Sequence, residues 1–403
     1  MFDYLRRQTI FLTGASGILG ARVLLHLLST TECKVICLMR GQNREIASSR
    51  LESAVKVYDP EFHLGEFTER VGTLLGDVAQ DRLGLDSDVY QDLTESVSTV
   101  IHAAASVNFT ALYSSIVKTN VEGTEQIARL ALDADAGMIH VSSYSVIGDA
   151  VFRPGFVFKE DDCDVGQGFG GFAYGRTKYE AEVNLREMGP LRWIILRSGD
   201  IYGDSRTGAY PLHIPGRPAF FYDIFKTAVE TGLCPFREDF FDITPVNFLA
   251  QVIVHLTLEQ DSWGKTFHLM NPRPRRFFEV MNHLIDHGYR LRTLPFDEYV
   301  ELFRKGLSFK DGKKYSSQFT AMSSLFFKHF FQQTRAHFDT QEAQRLYEKA
   351  GIRFPESEYS LLDVYLRYCQ AVDYLPPPRA QTLASVGEDH LGRQPAMIGS
   401  RSF

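Results

Sequence analysis

The chain of 403 residues is 44% hydrophobic and 23% charged, ordinary values for a water-soluble globular protein, which exclude collagen-like, coiled-coil and wholly disordered architectures. Its 43 Lys and Arg against 50 Asp and Glu leave a net charge of −7, the wrong sign for binding nucleic acid or an anionic membrane through the overall field. Cys33, Cys37, Cys163, Cys234 and Cys369 are odd in number and scattered without a CxxC pair, so they indicate neither a disulfide framework nor a zinc site and fit a reducing cytoplasm.

At the N-terminus, Arg6-Arg7-Gln8-Thr9-Ile10-Phe11-Leu12 has the outline of a twin-arginine export signal. Cleavage there would delete Gly14, Gly17 and Gly20, so the segment is expected to belong to the folded protein. No run of 18 apolar residues follows, and Arg22 and His26 interrupt the longest candidate, so no membrane span is expected. Strands are predicted at Thr9 to Leu12, Lys34 to Met39, Val71 to Leu75, Val97 to His102, Gly137 to Ser142 and Trp193 to Arg197. Amphipathic stretches near 18–29, 44–58, 112–132 and 172–188 lie between them, each long enough for a right-handed crossover helix. This alternation predicts an α/β fold, a doubly wound parallel sheet over residues 1–204. After residue 204 the chain turns Pro- and aromatic-rich. A smaller, mostly helical substrate lobe is expected over 205–375, with some elements returning to the sheet domain, then a flexible tail over 376–403.

Thr13-Gly14-Ala15-Ser16-Gly17-Ile18-Leu19-Gly20 leaves the first strand and opens a helix, the context a dinucleotide-binding Rossmann loop requires. The first glycine permits the tight turn, the second lets backbone N–H groups approach the pyrophosphate, and the third lets the helix pack on the sheet. The second strand ends Met39-Arg40-Gly41 with no acidic residue at its tip. A guanidinium there can pair with the 2′-phosphate, which favours NADPH over NADH. Tyr174 and Lys178, four residues apart, share one helical face. A free phenol titrates near ~10, so an ammonium beside Tyr174 would make it a better acid–base group. Ser143 ends the fifth predicted strand at the edge where a hydroxyl could orient a carbonyl.

These residues in this order resemble the extended short-chain dehydrogenase/reductase superfamily, and within it the thioester reductase branch. That branch includes the terminal reductase domains of nonribosomal peptide synthetases and carboxylic acid reductases. The strings that carry the resemblance are Gly76-Asp77-Val78 with Arg82-Leu83-Gly84-Leu85, Ile101-His102-Ala103-Ala104-Ala105 with Val107-Asn108-Phe109, and Asn120-Val121-Glu122-Gly123-Thr124. Gly203-Asp204-Ser205-Arg206-Thr207-Gly208 and Phe267 to Pro274 add to them. The resemblance implies Ser143, Tyr174 and Lys178 as catalytic residues and Arg40 with Arg50 on the 2′-phosphate. It also implies Asp77 and Val78 at the adenine, His102, Ala103 and Ala104 on the nicotinamide side, and Asn120 in the cofactor site. One departure is Arg197-Ser198-Gly199-Asp200, where the family usually has Arg-Pro-Gly.

The implied reaction is reduction of an acyl or peptidyl thioester to an aldehyde, with an alcohol as the further product. The thioester would ride on a carrier protein or CoA supplied in trans, because no carrier domain precedes the first strand. A nucleotide-sugar epimerase or dehydratase, a ketone reductase, and a non-catalytic dinucleotide sensor remain open on the same scaffold. Two further features carry two readings each: Leu325-Phe326-Phe327 with Phe330-Phe331 as core or as the lining of an acyl tunnel, and Arg304, Lys305, Lys310, Lys313 and Lys314 as a solvated face or as a docking patch for an acidic carrier protein or CoA phosphates, the first of each pair being favoured. The twelve histidines show no HExxH motif or other ligand spacing, so no metal is expected.

Overall fold

The computed structural model describes residues 8–109, 111–213, 219–304, 336–355 and 358–378. The β-branched and aromatic runs become β1 (Thr9–Thr13), β2 (Lys34–Met39), β3 (Val71–Leu75), β4 (Thr99–His102), β5 (Gly137–Ser143) and β6 (Trp193–Ser198). Between them lie α1 (Ile18–Thr30), α2 (Arg44–Val55) and α3 (Ser87–Ser96). Next comes α4 (Tyr113–Val117), which runs through a π-helical turn (Lys118–Glu122) into α5 (Gly123–Asp133), and then α6 (Ala173–Glu187). Two boundaries differ from expectation. β4 begins at Thr99 because Val97 caps α3, its N–H bonding Leu93 O. The single helix expected over 112–132 is interrupted by the π turn. Helix α3, in which Leu93 is the buried residue, is not among the helices expected from the sequence.

A seventh strand, β7 (Lys265–Leu269), arrives from beyond residue 204 through α7 (Phe220–Thr231) and α8 (Val246–Leu256). The sheet order is β7-β6-β5-β4-β1-β2-β3, parallel throughout. The order reverses between β1 and β4, and a crevice forms outside the carboxyl ends of strands at such a point. Ile10, Phe11 and Leu12 of β1 are fully buried, as a central strand covered on both faces must be. One face packs α1, α2 and α8, and the other packs α3, α5 and α6.

A second apolar cluster joins α7 to α9 (Phe277–Asp286) and α12 (Glu358–Ala371) around Tyr202, Tyr222, Phe225 and Tyr365. The chain also forms α10 (Phe296–Arg304) and α11 (Gln341–Lys349). Arg22 on α1 pairs with Asp204 at 3.2 Å, both nearly buried, and so ties the sheet to this helical region. The basic run from Lys305 to Lys314, the aromatic stripe and the tail beyond Pro378 lie outside the described residues.

The deepest polar contact holds α6 on the sheet. Glu182 and Arg197 are both fully buried, with Arg197 Nη2 2.7 Å from Glu182 Oε2 and Nε 3.1 Å from each carboxylate oxygen. Ser142 Oγ donates to Glu182 Oε1 at 2.5 Å, and Arg197 Nη2 also donates to Asp162 O. Arg197 Nη1 meets His268 Nε2 at 3.1 Å, and that ring's Nδ1 donates to Asp339 O at 2.6 Å. Burial pushes His268 down to about 3, keeping it neutral and able to accept from the guanidinium. Replacing Glu182 with Gln leaves Arg197 charged, buried and unpaired. Glu182→Gln is expected to lower unfolding free energy by about 3–5 kcal/mol in urea titration. A loss under about 1 kcal/mol would contradict the assigned role.

Candidate active site

The phosphate-binding turn is built by close approach. Gly14 adopts φ +71°, and a Cβ there would lie 2.6 Å from the backbone of Ala103 and Ala104. At Gly20 a Cβ would lie 2.1 Å from Gly14 O. Only hydrogen fits at either position. Gly17 N bonds Gly14 O at 2.7 Å and Gly17 N-caps α1, whose first turn offers N–H groups to an anion. Thus Thr13 to Gly20 and Ala103–Ala104 meet at the reversal point of the sheet.

At the tip of β2, Arg50 Nη2 bonds Arg40 O, and partial burial with the charge of Arg40 lowers Arg50 below the usual guanidinium range. Neither arginine has a carboxylate within ion-pair distance among the described residues. Two guanidiniums without a counter-anion fit a phosphate. Asp77 follows β3 and accepts from Ala79 N at 3.0 Å. The Val78 side chain is packed beneath α5, 2.9 Å from where a Cβ on Gly123 would stand, so only its backbone is left for a ligand.

His102 is turned inward. Its Nδ1 lies 2.7 Å from Thr13 Oγ1 and its Nε2 3.1 Å from Thr124 Oγ1. Thr124 donates to Asn120 O and Thr13 Oγ1 accepts from Ala104 N, so the ring must accept at Nδ1 and donate at Nε2. Burial pushes it down to about 3. The ring is a tie between β1, β4 and α5, and only its backbone neighbours Ala103 and Ala104 face the crevice turn. Asn120, in the π turn, accepts from Ser106 N at 2.7 Å and donates to Ser106 O and Thr177 Oγ1. It therefore couples the loop after β4 to α6.

Ser143, Tyr174 and Lys178 are brought together where β5 ends against α6. The Tyr174 phenol lies against the Ser143 hydroxyl, and Ser143 Oγ donates to Ser145 Oγ at 3.0 Å. Lys178 Nζ donates to Val141 O at 2.7 Å, one strand position before Ser142. The expected lowering of the phenol by Lys178 is not what the geometry gives. Burial pushes Tyr174 up to about 12, with the Asp200 charge adding to the rise and the Ser143 hydrogen bond opposing it. Burial also brings Lys178 down to about 8, against the pull of Glu182. The ammonium donates to a carbonyl, and burial holds the phenol protonated, as a proton donor.

Beside this trio opens a cavity of about 650 Å³ lined by aromatic side chains, including Phe109, Phe172, Phe221, Phe241 and Phe277. Phe109 stands edge-on to Tyr174 with ring centroids 5.1 Å apart. Sequence reasoning missed an acidic pair in the cavity wall. Asp242 accepts from Asp200 N and Thr244 Oγ1 at 2.7 Å and from Asn271 N at 2.8 Å, while the Tyr144 phenol lies beside Asp200. Burial and the Asp242 charge raise Asp200 well above the usual carboxylate range, and burial lifts Asp242 to about 6. Asp200 belongs to the stretch that departs from Arg-Pro-Gly, but no spacing rule joins it to a residue 42 positions on. Gly199 is also constrained, since a Cβ there would lie 2.1 Å from Asp242 Oδ2.

Comparison with known proteins places this geometry. Residues 12–253 match the family described as male sterility protein, NAD_binding_4. The chain is 28% identical over 364 residues to a linear gramicidin synthase of Brevibacillus parabrevis, covering 90% of this chain and 7% of that protein. It is 30% identical over 308 residues to the L-2-aminoadipate reductase large subunit of Penicillium chrysogenum, covering 72% of this chain and 21% of that one. The chain thus spans less than a third of the length of these relatives. The terminal R domain of the myxalamid PKS-NRPS biosynthetic pathway superposes with a TM-score of 0.80 at 28% identity, over 92% of each chain. Among the described residues no helix is long and apolar enough to cross a membrane. The chain belongs to the male sterility protein family of NAD(P)-binding reductase domains, and within it is similar to the thioester reductase domains that end nonribosomal peptide and polyketide assembly lines.

Proposed function

We propose that the protein is an NADPH-dependent reductase of acyl or peptidyl thioesters, held on a carrier protein or on CoA, and that it releases an aldehyde. The observation that carries this reading is the Tyr174 phenol lying against the Ser143 hydroxyl and edge-on to Phe109 of the aromatic cavity. The unpaired Arg40 and Arg50 favour the 2′-phosphate cofactor over NADH, and they also weigh against an NAD-retaining epimerase.

NADPH, when bound, supplies the hydride. The chain's own groups handle the oxygen and the proton. Ser143 and Tyr174 hydrogen-bond the thioester oxygen, where negative charge grows in the transition state. Tyr174, held protonated by burial, gives its proton to that oxygen as the charge develops. Lys178, cationic below about pH 8, supplies positive charge one helical turn away and anchors the strand end through Val141 O. Collapse of the hemithioacetal breaks the C–S bond and expels a thiol, giving one aldehyde and one thiol per NADPH oxidised. A thiol, with a free pKa of ~8.5, leaves far more readily than an alcohol, which is why a thioester suits this site. Asp200 and Asp242 lie where the acyl portion would rest.

Three outcomes check the reading. Tyr174→Phe should bind NADPH within a few-fold of wild type, followed by fluorescence titration, yet lose turnover by ~10² or more. Wild-type turnover in that variant would require another proton donor. Arg40→Ala should weaken NADPH binding at least tenfold and leave NADH binding nearly unchanged, whereas equal loss for both would remove the 2′-phosphate assignment. Because Lys178 loses its proton near 8, kcat/KM should decline as pH rises through about 8. A profile flat to pH 10 would mean that the Lys178 charge plays no part.

A further inference from the structure

The helical region holds a group of side chains outside the active site whose geometry calls for a cation. His283 and His287 stand four residues apart, His283 in the last turn of α9 and His287 at its C-cap, and Asp363 faces them from α12. The pattern differs from HExxH in lacking the glutamate, and its third member lies 76 residues further on, so the histidine spacing alone does not reveal it. His283 Nε2 is 2.7 Å and His287 Nε2 2.9 Å from the same oxygen, Asp363 Oδ1, and the two rings lie 4.3 Å apart.

The tautomer of His287 is fixed by its other nitrogen. His287 Nδ1 lies 2.8 Å from His283 O, a carbonyl that can only accept, so Nδ1 carries the proton. In the neutral ring Nε2 then presents a lone pair to a carboxylate oxygen that is itself only an acceptor. Two lone pairs facing each other at 2.9 Å repel unless a positive charge lies between them. A backbone hydrogen bond that orients the ring and aims the far nitrogen is also the usual outer support of a metal-binding histidine.

We propose that His283, His287 and Asp363 bind one divalent transition-metal ion, zinc being the best match, which clamps α9 to α12. Two imidazoles and one carboxylate suit zinc, whereas magnesium and calcium take oxygen donors. The potential ligand atoms all lie within 4.8 Å of one another. Zinc bonds of about 2.0–2.1 Å give a tetrahedral edge of about 3.3 Å, so Asp363 must withdraw by roughly 0.5 Å. A side chain one-third exposed can do this by rotating, and the same exposure lets water take the fourth position. Phe277, in the first turn of α9, lines the substrate cavity, and His283 lies six residues along, about 9 Å by helical rise. The ion therefore fixes the helix that forms one cavity wall and takes no part in the chemistry.

Calorimetric titration of untagged, chelator-treated full-length protein with zinc chloride tests this, with metal content measured after dialysis and melting followed in parallel. The expected result is one zinc per chain with micromolar or tighter affinity and a melting temperature raised by several degrees, with no rise from magnesium. His287→Ala, and Asp363→Asn as the variant that keeps its shape, should each weaken zinc at least tenfold. Absence of stoichiometric zinc would show that two ring protons occupy the gap and would overturn the proposal. Wild-type affinity in both variants, or an equal response to magnesium, would also overturn it.

Discussion

The buried ion pair of Glu182 and Arg197 is the contact on which the placement of Tyr174 and Lys178 against the end of β5 depends. Glu182 lies four residues beyond Lys178 and eight beyond Tyr174, so all three project from one face of α6. Fixing Glu182 to Arg197 of β6 and Ser142 of β5 sets both the rotation and the height of that helix against the sheet. The Tyr174 phenol then lies against Ser143, and the Lys178 ammonium donates to Val141 O. A buried charge pair is a costly way to join a helix to a sheet. Here it also recruits His268 on β7 and the backbone at Asp162 and Asp339, so distant segments share one register.

A second constraint is steric. The loops leaving β1 and β4 pass almost in contact because Gly14 has no side chain, and the absence of one at Gly20 lets α1 pack against the same turn. Thr13, His102, Thr124 and Asn120 then form a continuous hydrogen-bonded tie from the glycine turn to the π turn, and Asn120 passes it on to Thr177 of α6. The glycine turn and α6 are thus mechanically joined by neutral groups.

Much of the fold was legible in the sequence because β-branched runs and glycine turns report local physics. β1, β2, β3, β5 and β6 begin where the pattern put them, and the Ser143, Tyr174 and Lys178 grouping follows from strand ends and helical spacing. What was not legible arises from contacts across long separations. β7 reads as one more short apolar run until its register with β6 is known. The inward turn of the His102 ring is set by partners at Thr13 and Thr124, and the Asp200–Asp242 pair by the meeting of two loops. The rise of the Tyr174 phenol was hidden for a similar reason, since helical spacing places Lys178 nearby but does not report how the assembled fold buries the ring.

The acidic pair and the aromatic walls give the cavity an apolar body with a polar floor, next to a phenol kept protonated by its surroundings. In the proposed reduction such a site donates a proton to an oxygen rather than removing one from water, which separates that reading from hydrolysis. The most direct measurement is the stoichiometry of a single turnover on an acyl-pantetheine thioester, with NADPH, free thiol and trapped aldehyde quantified together. The account predicts one NADPH oxidised and one aldehyde formed for each thiol released. Thiol release with no NADPH consumed, yielding a carboxylic acid, would contradict it.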